Sequence, residues 1–340
     1  MKLRRLFYAL FLTLSACGLA PSSQQTPPEV MVTARASATA QGEAQGFRLP
    51  FGSSPGSLST QSLPSGISLW GGIVVDNTLI LLSRKSSGGG EFLLSPLPLS
   101  SSGPAVATGI SGTPFALAQS GQVIIVLETT SGAPQGCIAT YSVSSLISLS
   151  VSGGAVSSLS SCQPLPGSGT MAGGLLLPMA DGVEFLVGSL YGNPGAMTLR
   201  LYPLSTVING ASLSSPQSTW ETSGSYQGGT PLTAVALSSV FLLPNPTSPA
   251  VDLYQITTLY KGGGGTLTPL STTSLSLEGA PTLLLVDPAD NFLMAASSGT
   301  VSLFGLGSVL NPPGTLGALG TIPSSGALTL GALAVYTGSS

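Results

Sequence analysis

The clearest pattern of apolar and polar positions lies near the C-terminal end, in residues 281–305. Thr282–Val286 is an apolar run, Asp287–Asn291 has turn chemistry, and Phe292–Ala296 is a second apolar run. Ser297–Gly299 turns again, and Thr300–Phe304 alternates apolar and polar residues. Short apolar runs bounded by Gly, Pro, Asn, Asp and Ser are the signature of β-strands joined by tight turns. Weaker copies of the same phrase begin near residues 72, 114, 173 and 231, so the five units start at intervals of 42, 59, 58 and 50 residues.

Each earlier unit opens with two apolar runs around a turn, at Gly72–Leu82, Pro114–Leu127, Gly174–Val187 and Pro231–Leu243. A third run follows in each, at Glu91–Pro96, Cys137–Val143, Ala196–Tyr202 and Val251–Thr257. Room remains for a fourth strand, such as Thr266–Leu277, with the glycines of Lys261–Gly265 read as a hairpin turn before it. Four-stranded units at roughly 40–50-residue spacing predict an all-β fold, a β-propeller. Six blades are expected, with five or seven as alternatives. The tail Ala327–Tyr336 and the stretch Phe47–Ser65 are strand-like fragments without a complete unit. A ring closed by pairing the N- and C-terminal strands accounts for both, and removes the exposed edges of an open array. The rival architecture, a right-handed β-solenoid, would need a shorter and stricter period.

Composition adds an environment. The chain has 340 residues, 42% hydrophobic and only 6% charged, with 45 Gly, 27 Pro, no His and a net charge of −3. Hydrophobicity this high and net charge this low exclude a disordered chain. So small a net charge gives no reason to expect a nucleic-acid partner. A chain of this size with ordinary composition would carry on the order of 40 positive charges in acid, where carboxylates are neutral. This one has 9 Lys and Arg, three of them within its first five residues. An acidic or otherwise harsh external medium is the expected habitat.

The N-terminus supports export. Lys2, Arg4 and Arg5 precede the short apolar stretch Leu6–Leu14, the layout of a secretory signal too short to span a membrane. It ends in Leu14-Ser15-Ala16-Cys17, which resembles the lipobox of bacterial lipoproteins. That resemblance implies cleavage after residue 16 and lipidation of Cys17, including a palmitate-like acyl chain, which would anchor the protein in a membrane. Gly18 stands where an inner-membrane retention aspartate is common in that family, so an outer-membrane or cell-surface location is expected. Residues 1–16 are thus read as the signal peptide, 17–46 as the lipidated cysteine and a flexible tether, and 47–340 as the propeller. Cys137 and Cys162 open and close neighbouring strands of the second unit, so a disulfide is expected between them in an exported chain.

The stretch VDPADNFLMAASSGTVSLFGLG is similar to the repeat of YVTN-type, lactonase-like β-propellers. There an apolar strand, an Asp-Pro turn, a second apolar strand and a Gly-Thr-Val-Ser strand follow one another. The tetrad that names the family is replaced here by Leu293-Met-Ala-Ala296. Catalytic members rely on histidine, arginine and acidic groups around the channel. This chain lacks histidine and hence the usual general base, imidazole metal ligand and Ser-His-Asp arrangement.

No catalytic residue, metal site or cofactor is therefore assigned. Asp76, Asp181 and Asp287 recur between first and second strands and are read as turn formers; Asp287 and Asp290 together would make at most a weak calcium site. In propellers, functional residues lie on loops joining second to third strands and one unit to the next. Here those loops bring forward Trp70, Arg84, Lys85, Glu128, Tyr191, Asn193, Tyr226 and Asn245 as a candidate binding rim. The expected function is a non-catalytic envelope lipoprotein, held to the membrane through Cys17, whose propeller binds an envelope protein or surface polymer. The alternative is a lactonase-like or carbohydrate-active enzyme using carboxylates alone, with Glu128 and Glu184 as candidates.

Overall fold

The computed structural model describes residues 29–337, apart from 53, 54, 87, 288 and 290. Cys17 and the signal sequence lie outside the described residues, as does Asp290. Six sheets fan around a central axis, as the sequence predicts. Five take their strands from successive stretches of chain. From the axis outward, the second blade begins Ile67–Val75, Thr78–Lys85, Gly90–Pro96 and Ala105–Ile110. The third comprises Thr113–Ser120, Val123–Thr130, Ala133–Ser142 and Gln163–Pro164, and the fourth begins Gly173–Pro178, Glu184–Leu190, Met197–Pro203 and Ser218–Thr222. The fifth comprises Val235–Ala236, Val240–Pro244, Ala250–Gln255 and Ser271–Ser274; the sixth comprises Leu283–Val286, Phe292–Ser297, Thr300–Gly305 and Gly320–Ile322.

The remaining blade closes the ring. Its innermost strand is Thr329–Thr337 from the C-terminus, and Glu29–Ala36, Gly42–Arg48 and Ser59–Leu63 lie outside it. Glu29–Ala36 pairs antiparallel with Thr329–Thr337 along its whole length. Residues 29–46, expected to belong to the tether, lie instead in the closing blade, so the propeller includes chain well before residue 47. A middle strand buried on both faces needs no alternation. Its small side chains, EVMVTARA, read as linker composition for that reason.

The same geometry explains the unbroken apolar runs. Each blade is packed between two neighbours, so successive side chains of a strand point into different interfaces. Phe241 and Leu243 pack toward the fourth blade, and Leu242 between them packs toward the sixth. Likewise Met294 and Ala296 meet the closing blade, and Leu293 and Ala295 meet the fifth. Five apolar clusters fill the six interfaces in this way, the largest running through the second, third and fourth blades.

Two sheets gain a fifth, outermost strand running parallel to the fourth. Gly154–Ala155 joins the second blade and Gly263–Leu267 joins the fourth, each reaching back from the blade that follows. The glycines 263–265 thus belong to an edge-covering strand, where the sequence predicts a hairpin turn, and blunt an exposed edge. Four one-turn helices, Val143–Ser148, Leu204–Ile208, Ile256–Tyr260 and Leu306–Leu310, lead from third to fourth strands in blades three to six. Among the described residues no helix is long and apolar enough to cross a membrane.

Candidate functional site at one mouth of the channel

First strands begin, and second strands end, at the same mouth of the ring. In the second blade Ile67 pairs with Lys85 and Ser68 with Arg84. A bulge between Leu69 and Gly72 follows at once, and such a bulge re-aims the side chains beside it. It sets Trp70 against Phe115 of the third blade, edge to face with ring centroids 5.5 Å apart. The Arg84 guanidinium lies over both rings, 3.9 Å from the Trp70 centroid and 4.7 Å from that of Phe115. Arg84 Nη2 donates to the Pro114 carbonyl at 2.7 Å. Its Nε is buried and donates to nothing. Burial lowers its pKa to about 10, because desolvation disfavours the charged form. Beside it, Lys85 Nζ stands 2.6 Å from Glu91 Oε2.

These residues form one wall of a cleft of about 480 Å³. The closing blade supplies the opposite wall through Ala36–Ala38, Thr329 and Gly331. The third side is Gly229-Thr230-Pro231, from the connection between the fourth and fifth blades. That connection crosses the mouth. At one end Gly229 N–H donates to the Ala172 carbonyl at 3.0 Å, and at the other Thr233 Oγ1 donates to the Leu284 carbonyl at 2.9 Å. Thr230 and Pro231 also line a second cleft, of about 380 Å³, with Thr282, Ser298, Ser324 and Thr329. The crossing shortens the fifth blade's first strand to Val235–Ala236, where the sequence pattern had it starting at Pro231. Gly228-Gly229 before Pro231 was the available signal for a non-strand crossing.

Of the eight rim candidates, Trp70, Arg84 and Lys85 come together in the first cleft. The other five do not join them. Glu128 is 1% exposed and accepts from the Gly112 N–H at 2.9 Å; burial raises its pKa against that hydrogen bond. Tyr226 is buried with its hydroxyl donating to the Pro244 carbonyl at 3.2 Å, and burial likewise raises its pKa. Asn245 is consumed by its turn, accepting from Thr247 and Ser248 and donating to Asp252. Asn193 Oδ1 accepts from Gly228 N–H at 3.0 Å and so holds one end of the crossing segment. Tyr191 is half-buried beside Arg200, 5.8 Å from its ring centroid.

The turn aspartates behave as the sequence suggests. Asp181 Oδ1 accepts from the N–H groups of Val183 and Glu184, and Asp287 Oδ1 from that of Asn291, while Asp76 and Asn77 are both left-handed, with φ of 45° and 57°. Cys137 and Cys162 are disulfide-bonded. Glu128 lies beside them, the three ligand atoms within 4.8 Å of one another, but sulfurs bonded to each other are not thiolate ligands.

No protein-family model matches this sequence, and no curated protein matches it. Solved structures do. A Bacteroides fragilis protein described as a putative 6-phosphogluconolactonase superposes with a TM-score of 0.51 at 10% identity, over 93% of this chain and 99% of that one. A putative 6-phosphogluconolactonase from Bacteroides uniformis gives 0.51 at 10% identity, over 92% and 100%. The likeness shows the β-propeller fold. At this identity it concerns the backbone alone.

Proposed function

We propose that this propeller is a non-catalytic, lipid-anchored protein of the cell envelope that binds a surface polymer or protein at the mouth bridged by Gly229–Pro231. The observation that carries the reading is the first cleft, where Arg84 and Lys85 are the only ionisable lining groups among the described residues. Acid–base hydrolysis of the carboxylate kind needs two acids flanking one bond, and among the described residues neither cleft is lined by a carboxylate. A lactonase-like reading would draw on Glu128 and Glu184. Glu128 stands near the end of its second strand and Glu184 at the start of its own, in different blades and at opposite mouths of the ring. That separation supports binding over hydrolysis.

Anchoring follows from Cys17, and export fits the Cys137–Cys162 disulfide. Labelling cells with a palmitate analogue is expected to mark the wild type and not Cys17→Ala, which should leave the membrane fraction. For binding, full-length protein and a Thr230→Trp variant are used to capture partners from envelope extract. A stoichiometric partner held by the wild type and lost by the variant is expected. Equal capture by both would reject the mouth as the binding face. Turnover of a lactone or glycoside that Glu128→Gln or Glu184→Gln abolishes would replace binding with catalysis.

A further inference from the structure

Arg84 is a half-buried cation with no counter-charge of its own among the described residues. Lys85, not Arg84, takes the Glu91 carboxylate. One Arg84 terminal nitrogen is spent on the Pro114 carbonyl and Nε is buried without an acceptor; among the described residues Nη1 meets no acceptor either. A guanidinium in this condition is costly to keep, and an anion would relieve the cost. It is also pre-oriented. Stacking on Trp70 and Phe115 fixes the plane of the fork, so little side-chain entropy is lost when it grips two oxygens.

Trp70 itself is 3% exposed with Arg84 over its ring. The cleft therefore offers no bare aromatic face for a sugar ring to stack on. What surrounds the cations is hydroxyl: Ser37, Ser68, Ser86, Thr230 and Thr329. The adjoining cleft continues the theme with Thr282, Ser298 and Ser324 and adds no charge. Nine cations less the three at the N-terminus leave six, and two of those six stand side by side here.

Building on the mouth as the binding face, we infer that the cleft takes an oxyanion, a carboxylate or phosphate, carried on a hydroxyl-rich polymer. The fork of Arg84 holds the anion beside the Lys85–Glu91 pair, and the threonines and serines bond the polymer's hydroxyls across both clefts.

The test is equilibrium binding of the full-length protein to three soluble polymers of matched length: polygalacturonate, poly(glycerol phosphate) and dextran. One or both polyanions are expected to bind and dextran to bind at least tenfold more weakly, with affinity falling as salt rises. Which polyanion binds identifies the anion. Arg84→Gln should weaken polyanion binding about tenfold or more, and Arg84→Lys, which keeps charge but loses the fork, should fall between. Because Arg84 packs on two aromatic rings, each variant is checked by thermal melting. If neither folds, the wild-type preference among the three polymers decides alone. Equal affinity for dextran and the polyanions overturns the inference. So does the absence of all three interactions when Thr230→Trp still abolishes capture of an envelope partner, an outcome that leaves the mouth as the binding face. Capture unaffected by Thr230→Trp removes both readings.

Discussion

Arg35 is 1% exposed, and what it holds is the junction of the ring. Its Nη1 donates to Thr33 Oγ1 at 3.2 Å, and its Nη2 reaches out of the closing blade to the carbonyls of Pro323 and Gly299, 3.1 and 3.4 Å away beside the sixth blade. The nearest carboxylate, Glu43, is 3.9 Å off and 24% exposed. Truncating Arg35 leaves buried acceptors unsatisfied and a cavity behind, together costing about 2–5 kcal/mol. Arg35→Ala is expected to lower stability by that amount, read as a shift in the urea midpoint. Arg35→Met, which removes the desolvated charge while filling the space, should lose much less. None of this was legible in the sequence, where Arg35 sits in a run of Ala, Thr and Ser that resembles a linker. The rim shows the same limit from the other side. Loop position tells which mouth a residue occupies, and it found Trp70, Arg84 and Lys85. It does not tell which way the side chain points: Glu128 turns to the Gly112 N–H and Tyr226 to the Pro244 carbonyl, and neither lines the cleft.

At the scale of strands and helices, blades three to six carry a stronger repeat than the turn phrase. Third strands end in a fully buried aromatic, and the next turn of helix buries two apolar residues three apart. In blades three to six the four trios are Tyr141 with Val143 and Leu146, Tyr202 with Leu204 and Val207, Tyr254 with Ile256 and Leu259, and Phe304 with Leu306 and Val309. One turn is too short to raise a helical period, so these helices looked like the ends of strands. The disulfide acts on the weakest of the outer strands: Cys137 pairs with Pro164 in a fourth strand only two residues long. Closing 25 residues contributes about 3 kcal/mol on the chain-entropy account, and the double variant Cys137→Ser/Cys162→Ser should lose about that in a denaturant titration. Near the axis the limit is steric. A Cβ on Gly331 would stand 2.5 Å from Leu69 Cβ and 2.6 Å from the Leu69 carbonyl oxygen. Gly331→Ala is expected to cost about 1–3 kcal/mol by overpacking, visible as a lower melting temperature.

For the whole molecule, the shifted carboxyls lean toward acid. Burial raises Glu29, with Asp287 nearby adding to the effect, and burial also raises Glu128 and Glu184 above the ordinary 4.5. A carboxyl raised on folding contributes stability that is complete below its unfolded pKa and is lost as pH climbs through the folded one. Asp181 opposes them: burial would raise it, but hydrogen bonds from the Tyr260 hydroxyl and the Val183 and Glu184 N–H groups hold it below 3.8. Its contribution is present above that value and lost as pH falls through the folded pKa. The melting temperature is therefore expected to rise from pH 7 to about 4.5 and to decline only below about 3.8. A steady fall from pH 7 downward would contradict this balance and the acid habitat with it.

The closing blade takes three strands from the start of the chain and its innermost one from the end. During synthesis the inner edge of Glu29–Ala36 has no companion until Thr329–Thr337 emerges, about 290 residues later at the pace of the ribosome. The ring therefore cannot close until that last strand is available, and five blades can form before it does.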